Sequence, residues 1–354
     1  MSRYFSGKYA ALTPYVPGEQ PKNREYIKLN TNENPYPPSP KAIQYAGEAA
    51  KNLELYSDPE CTELHKKLAG NLGLKPTQIM ATNGSDEILN FAFMAFCDKD
   101  TPAVFADITY GFYPVFSEIN NLPFRIIPLK EDFSIDITDY FNAGGTIFIA
   151  NPNAPTALAL SVNDIEEIIL HNPDNIVVID EAYVDFGAES CVPLINKYDN
   201  LLVTRTFSKS GSMAGARLGY GIACENLIRD LFTVKYSTNP YNINSMTMAA
   251  GIGAVEEWNY SNENCKKIIE TRENLKDELR SLGFEFTDSV TNFIFAKHKS
   301  ISGDDFYKRM KDNGILIRHF NNAKISNYNR ITIGTPEQMK EFIRIAKEIT
   351  EENI

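Results

Sequence analysis

Short apolar runs rich in β-branched residues alternate with helical patterns from about residue 77 to residue 235. QIMAT, PAVFAD, FRIIPL, TIFIA, NIVVID, NLLVTRTF and RLGYGIA are seven candidate strands. Between several of them the apolar spacing predicts amphipathic helices at Asp86–Phe96, Val162–His171 and Asn226–Val234. This alternation predicts an α/β layer with a mostly parallel seven-stranded sheet flanked by helices. Beyond residue 240 the pattern changes. A long charged helical run, Ser261–Leu282, precedes FEFTD, TNFIFAK, ILIRHF, RITIG and a last helix at Glu337–Glu348. That spacing predicts a smaller α+β unit with an antiparallel sheet. The first forty residues carry TPYVPG and NTNENPYPPSP and read as an extended arm packed on other elements. The expected division is an arm at 1–40, packing with the small unit and a partner subunit, a large domain at 41–255 and a small domain at 256–354.

Length and composition narrow the class. At 354 residues the chain has room for two domains, and 43% hydrophobic with 23% charged residues is ordinary for a folded soluble protein. Thirty-five Lys and Arg against 46 Asp and Glu leave a net charge of −11, which disfavours nucleic acid and anionic membrane surfaces as partners. The N-terminus MSRYFSGKYA has no apolar signal region, and no stretch approaches a membrane span, so a cytoplasmic address is expected. Cys61, Cys97, Cys191, Cys224 and Cys265 are widely spaced, and His65, His171, His298 and His319 show no metal-ligand spacing. No metal site is expected.

The candidate chemistry gathers at strand ends. NIVVID ends in Asp180 and is followed by Glu181, Ala182 and Tyr183, which puts a carboxylate and a phenol where α/β sheets bind ligands. An apolar strand ending in Asp-Glu also resembles the metal-holding strand of P-loop ATPases, but no GxxxxGK[ST] loop lies upstream to cradle a phosphate. NLLVTRTF runs into Ser208, Lys209 and Ser210, with Arg217 eight residues beyond Lys209. Alone, that lysine reads as a solvated surface residue. In company with the hydroxyls of Thr206 and Ser208, Arg217 and a strand-end Asp, it reads as one part of a site for a dianion and a ring cation. After QIMAT, Gly84, Ser85 and Asp86 open a helix, where free N–H groups and the helix dipole suit a phosphate, although a GSD turn by itself is a helix cap. Tyr110, in TYGFY, serves equally well as a stacking ring or as core. Together these residues describe a phosphorylated aromatic aldehyde held covalently by an amine: pyridoxal 5′-phosphate.

The order GSD, Tyr, NPNxPT, DEAY and TxSKS with an Arg at +8 resembles fold-type I aminotransferases over nearly the whole chain. Within that class, LNTNENPYPPSP, LYSDPE, EAYVDF, TNF and RITIGT look like the histidinol-phosphate aminotransferase family. The resemblance implies that Lys209 bonds the cofactor and shuttles a proton, that Asp180 pairs with the ring nitrogen, and that Tyr183 donates to the ring oxygen. It implies that Thr206, Ser208, Arg217, Gly84 and Ser85 hold the phosphate, that Asp86 is a further cofactor contact and that Tyr110 stacks on the ring. It also implies a homodimer with shared active sites, in which Tyr56 reaches the neighbouring chain's phosphate site. One departure stands out: the family commonly reads NPNNPTG, and this chain has Asn153, Ala154, Pro155, Thr156 and Ala157. The missing amide removes a donor worth roughly 1 to 2 kcal/mol, and Asn153 is the candidate replacement, unless Tyr183 acts alone.

The implied reaction is amino transfer between glutamate or 2-oxoglutarate and histidinol phosphate or its ketone, in histidine biosynthesis. Arg330 and Arg318 then serve the substrate's carboxylate or phosphate, since a guanidinium fork suits both, while Tyr15 and Glu33 lie in an arm that closes over the substrate. A broad aromatic aminotransferase or a decarboxylase of a phosphorylated amino acid would share every cofactor residue. A catalytically silent binding protein is the alternative from another class, and the retained Lys209 argues against it.

Overall fold

The computed structural model describes residues 2–352 apart from residues 11 and 23. Its centre is a seven-stranded sheet whose strands follow in the order Ile79–Thr82, Gly219–Ala223, Leu201–Thr206, Val177–Asp180, Thr146–Ala150, Ala103–Ala106 and Phe124–Ile127. Gly219–Ala223 runs antiparallel to both neighbours, and the other pairings are parallel. All seven expected strands are therefore present in one mostly parallel sheet.

The two-residue period of a strand explains the layering. Ile147, Ile149, Val177, Ile179, Leu201 and Val203 point into one core with Ile165 and Ile168. Phe148, Val178 and Leu202, the residues between them, point into a second core with Ile88, Leu89 and Phe93. Burial on both faces is why these strands read as continuous apolar runs. The helices that cover them include Ser85–Phe96, Val162–Leu170 and Glu225–Thr238.

A second, four-stranded antiparallel sheet has the order Arg318–His319, Asn329–Thr332, Phe293–His298, Phe284–Phe286. Trp258–Ser281, Gly303–Asp312 and Pro336–Glu351 are its helices. The run ILIRHF departs from its reading as a single strand. Ile315–Leu316 pairs in parallel with Ile27–Lys28 of the N-terminal arm, and only Arg318–His319 joins the four-stranded sheet. The arm accordingly supplies structure to the C-terminal part of the chain: Leu29 is fully buried there, beside Ile315, Ile331 and Phe342.

Candidate active site

The parallel strands ending at Ala150, Asp180 and Thr206 finish on one edge of the large sheet, where loops and helix starts converge. They open into a cavity of about 250 Å³ whose walls include Ser85, Asp86, Tyr110, Asp180, Lys209 and Arg217. Tyr110, Ala154, Tyr183, Thr31 and Lys209 also line a second cavity of about 400 Å³ that extends to Tyr15, Arg318 and Arg330. The two are lobes of one cleft, with Lys209 and Tyr183 at their junction.

In the first lobe Asp180 is buried, and its nearest partners are hydroxyls: Thr204 Oγ1 donates at 3.1 Å and Tyr113 at 3.5 Å. Burial, first of all, and the Asp86 carboxylate push its carboxyl up to about 7, while the bonds from Thr204 and Tyr113 work against that rise. Its neighbour Glu181 is turned away and spent on the scaffold, accepting from the Cys191 N–H at 2.6 Å, from Ser190 at 2.8 Å and from Arg205 at 2.9 Å. Of the Asp-Glu pair, Asp180 alone faces the cavity, a desolvated carboxylate whose ionised form a ring cation would stabilise.

Across the lobe, Gly84 caps Ser85–Phe96 with φ 79° and ψ 165°, a conformation open essentially to glycine alone. A Cβ at Gly84 would lie 2.6 Å from Arg217 Nη2, so the missing side chain is what lets the guanidinium lie against the helix start. Asp86 fixes that arrangement: one oxygen accepts from Arg217 Nη2 at 2.9 Å and the other from the Tyr110 phenol at 2.6 Å. Thr206 Oγ1 donates to Ser208 Oγ at 2.9 Å and accepts from the Ser208 N–H at 3.1 Å. A guanidinium, a helix N-terminus and two hydroxyls around one hollow are a donor set for a phosphate dianion. Paired with a buried carboxylate and an amine, they fit a phosphorylated cationic ring.

At the junction, Lys209 Nζ donates to the Thr31 carbonyl at 3.3 Å and lies 5.6 Å from the centre of the Tyr183 ring. Glu33 accepts from Lys28 at 2.6 Å and from Thr31 at 2.8 Å. Burial raises its carboxyl, but these bonds and the Lys28 and Lys209 charges outweigh that and hold it below the usual range. In the second lobe Arg330 is caged by the rings of Phe293 and Phe320 at 5.3 and 5.9 Å. One arm of its fork donates to the Asn30 carbonyl at 3.1 Å, and its buried Nε has no partner. Burial draws the guanidinium below its ordinary value, and Arg318 adds to that; an anion entering here restores the charged form's missing contacts. Arg318 lines the same lobe with its fork partly used, donating to the carbonyls of Val16 and Pro17. Tyr15 packs on Phe112 with ring centres 4.4 Å apart.

One expected contact falls elsewhere. Asn153 does not reach either lobe: its amide accepts from Thr109 and donates to the Ile108 carbonyl and Thr156, all within 2.9 Å. The scaffold saturates it, so it does not replace the missing amide, and Ala154 presents a methyl to the cavity. Tyr56 lies outside its own chain's cleft, 84% exposed and stacked on Tyr241 at 4.6 Å. Conversely, Thr31, Asn32 and Asn34 meet the site although no role was expected of them: Asn32 bonds the Tyr183 phenol, and Asn34 bonds the Lys209 carbonyl at 3.0 Å. The string NTNENP was their signal, since polar side chains packed into a Pro-rich arm need partners.

The family model for aminotransferase class I and II matches residues 24–345. This chain belongs to that family. Among its relatives, the histidinol-phosphate aminotransferase of Brachyspira hyodysenteriae is 50% identical, with 99% of each chain covered. That of Clostridium botulinum is 45% identical, again over 99% of each. A solved histidinol-phosphate aminotransferase from Clostridium acetobutylicum superposes with a TM-score of 0.85 at 25% identity, covering 92% of this chain and 99% of that one. The Sinorhizobium meliloti enzyme, solved in complex with pyridoxal-5′-phosphate, has a TM-score of 0.91 at 22% identity, over 100% and 99% of the two chains; that likeness carries the aminotransferase fold. Among the described residues, no helix of this family member is long and apolar enough to cross a membrane.

Proposed function

We propose that this aminotransferase uses pyridoxal 5′-phosphate to move an amino group between glutamate and the ketone of histidinol phosphate, in histidine biosynthesis. The observation that carries the substrate reading is Arg330: a half-buried guanidinium whose buried Nε has no partner, facing the lobe that Lys209 and Tyr183 share with the cofactor side. Such a group takes a carboxylate or a phosphate ester through the same fork, as alternating donors of these two kinds require.

Each residue then has a physical task. Arg217, Thr206, Ser208, Ser85 and the turn at Gly84 hold the phosphate. Asp180 keeps a positive charge on the ring nitrogen, and Tyr110 covers the ring. Tyr183 would donate a hydrogen bond from its phenol to the ring oxygen. When bound, the cofactor supplies an electron-withdrawing ring that accepts the electron pair left as a proton departs from the substrate carbon. Lys209 Nζ takes that proton from Cα and delivers it on the cofactor side. Arg330, with Arg318, Tyr15 and Glu33 around it, orients the substrate, and the arm excludes water.

A homodimer with shared sites is part of the same proposal. Tyr56 sits with exposed Leu53, Leu55 and Tyr241 in an apolar surface region, the kind of patch that marks an interface, and an exposed tyrosine beside a partner's phosphate site completes that site. The proposal also keeps the division at residues 40 and 255. It places the enzyme in the cytoplasm, where its five free thiols stay reduced.

Single-turnover reactions of the cofactor-loaded protein with histidinol phosphate, glutamate and phenylalanine test the assignment. Histidinol phosphate and glutamate are expected to react, with phenylalanine slower than histidinol phosphate. Phenylalanine at an equal rate would make the enzyme a broad aromatic aminotransferase, release of carbon dioxide a decarboxylase, and silence toward all three a binding protein. Borohydride reduction followed by peptide mapping should tag Lys209; a tag on the buried Lys235 would overturn the site.

A further inference from the structure

Asn32 stands at a crossing that no part of the expected site explains. It is buried, with φ 57°, and makes four hydrogen bonds. Its N–H donates to Thr332 Oγ1 at 3.0 Å, its Oδ1 accepts from that same hydroxyl at 3.1 Å, its carbonyl accepts from Asn292 Nδ2 at 3.0 Å, and its Nδ2 donates to the Tyr183 phenol at 2.9 Å. These contacts set the side-chain amide with its oxygen on Thr332 and its nitrogen on Tyr183. As these bonds run, the Thr332 hydroxyl accepts from the backbone N–H and gives its own proton to a bond with Oδ1, and Nδ2 faces Tyr183. The phenol oxygen thus accepts a hydrogen bond from the Asn32 amide, and its own proton is left to point into the cleft, where Tyr183 lines both lobes. A hydroxyl that accepts on one side is a stronger donor on the other. Ala154, whose cluster Tyr183 packs against, lines both lobes with a methyl, and Asn153 is spent on the scaffold.

We propose that Asn32 is a positioning residue that makes Tyr183 an oriented, strengthened donor to the cofactor's ring oxygen and so makes good the amide that Ala154 lacks. The inference rests on the cofactor reading above. Asn32 also ties this donor to the strand Asn329–Thr332, which carries Arg330, so cofactor polarisation and substrate capture share one polar hinge.

The test is a spectroscopic pH titration of the holoenzyme, following the visible absorption of the lysine–cofactor linkage. Weakening the donor to the ring oxygen favours the protonated linkage, so Asn32→Gly, which tolerates the left-handed backbone, should raise the midpoint by about half to one pH unit. Thr332→Val, which only removes the hydroxyl that orients the amide, should shift it in the same direction by less. Tyr183→Phe should shift it further, and adding Asn32→Gly to Tyr183→Phe should then change nothing. No shift in Asn32→Gly, or an equal shift in the Tyr183→Phe background, would overturn the proposal while the wild type still titrates. A wild type that takes up no cofactor would sink the cofactor reading itself and this inference with it.

Discussion

Neither the buried carboxylate of Asp180 nor the half-buried guanidinium of Arg330 has an opposite charge beside it, and each therefore has a measurable signature. Replacing Arg330 by Ala removes a charge-assisted contact worth roughly 3 to 5 kcal/mol, on the order of a hundred- to several-thousand-fold in kcat/KM. Both half-reactions should fall together, and Arg330→Lys should recover only part, because an ammonium cannot reproduce the fork. Intact half-reactions with collapsed cofactor binding would show that this arginine serves the cofactor instead. For Asp180, the folded value of about 7 lies above the ordinary 3.8. The stability linked to its proton is full below the unfolded value and is lost as pH rises through the folded one. In the cofactor-free protein, Asp180→Asn should therefore gain stability over the wild type as pH climbs from about 4 to about 7 and stay level above that. Denaturant melts across that range check it. With cofactor bound, the same variant should keep the cofactor and slow the chemical step by orders of magnitude; an unchanged single-turnover rate would remove Asp180 from the ring nitrogen.

At the scale of elements, the turn at Gly84 sets Arg217 against the helix start, and so the proposed phosphate donors, through backbone shape. Alanine there forces a glycine-only conformation and pushes a methyl against Arg217, a cost of about 1 to 3 kcal/mol. Thermal melts and equilibrium dialysis should show a lower Tm and weaker cofactor binding for Gly84→Ala; an unchanged Kd would mean that this turn is only a cap. The seven strands of the large sheet were legible in the sequence because burial on both faces makes each a continuous apolar run, and Asp180, Lys209 and Arg217 were legible because they sit at fixed offsets from those runs. ILIRHF was not, because its two halves pair with segments nearly 290 and about a dozen residues away, and composition alone carries no partner information. Asn32 escaped for a related reason: its contacts with Tyr183, Asn292 and Thr332 span 151, 260 and 300 residues. Asn153 misled because its motif position is right while its amide is already saturated.

At the scale of the whole molecule, the test of shared sites is complementation. Lys209→Ala chains mixed with an inactive Tyr56 variant should regain about a quarter of wild-type turnover, since half of the dimers are hybrids and one of their two sites is intact. No recovery after demonstrated subunit exchange would count against sharing. The arm's strand Ile27–Lys28 has a further consequence for how the protein is made. It waits for Ile315–Leu316, and Asn32 waits for Thr332, so the first segment to leave the ribosome is among the last to find its place. The large sheet, complete by Ala223, can assemble early and present Lys209 and Asp180 while the arm is still loose. A nascent chain arrested before Asn329 would then own the cradle proposed for the cofactor but neither the clamp on Tyr183 nor the strand that bears Arg330, so that its chemistry would wait until translation is almost done.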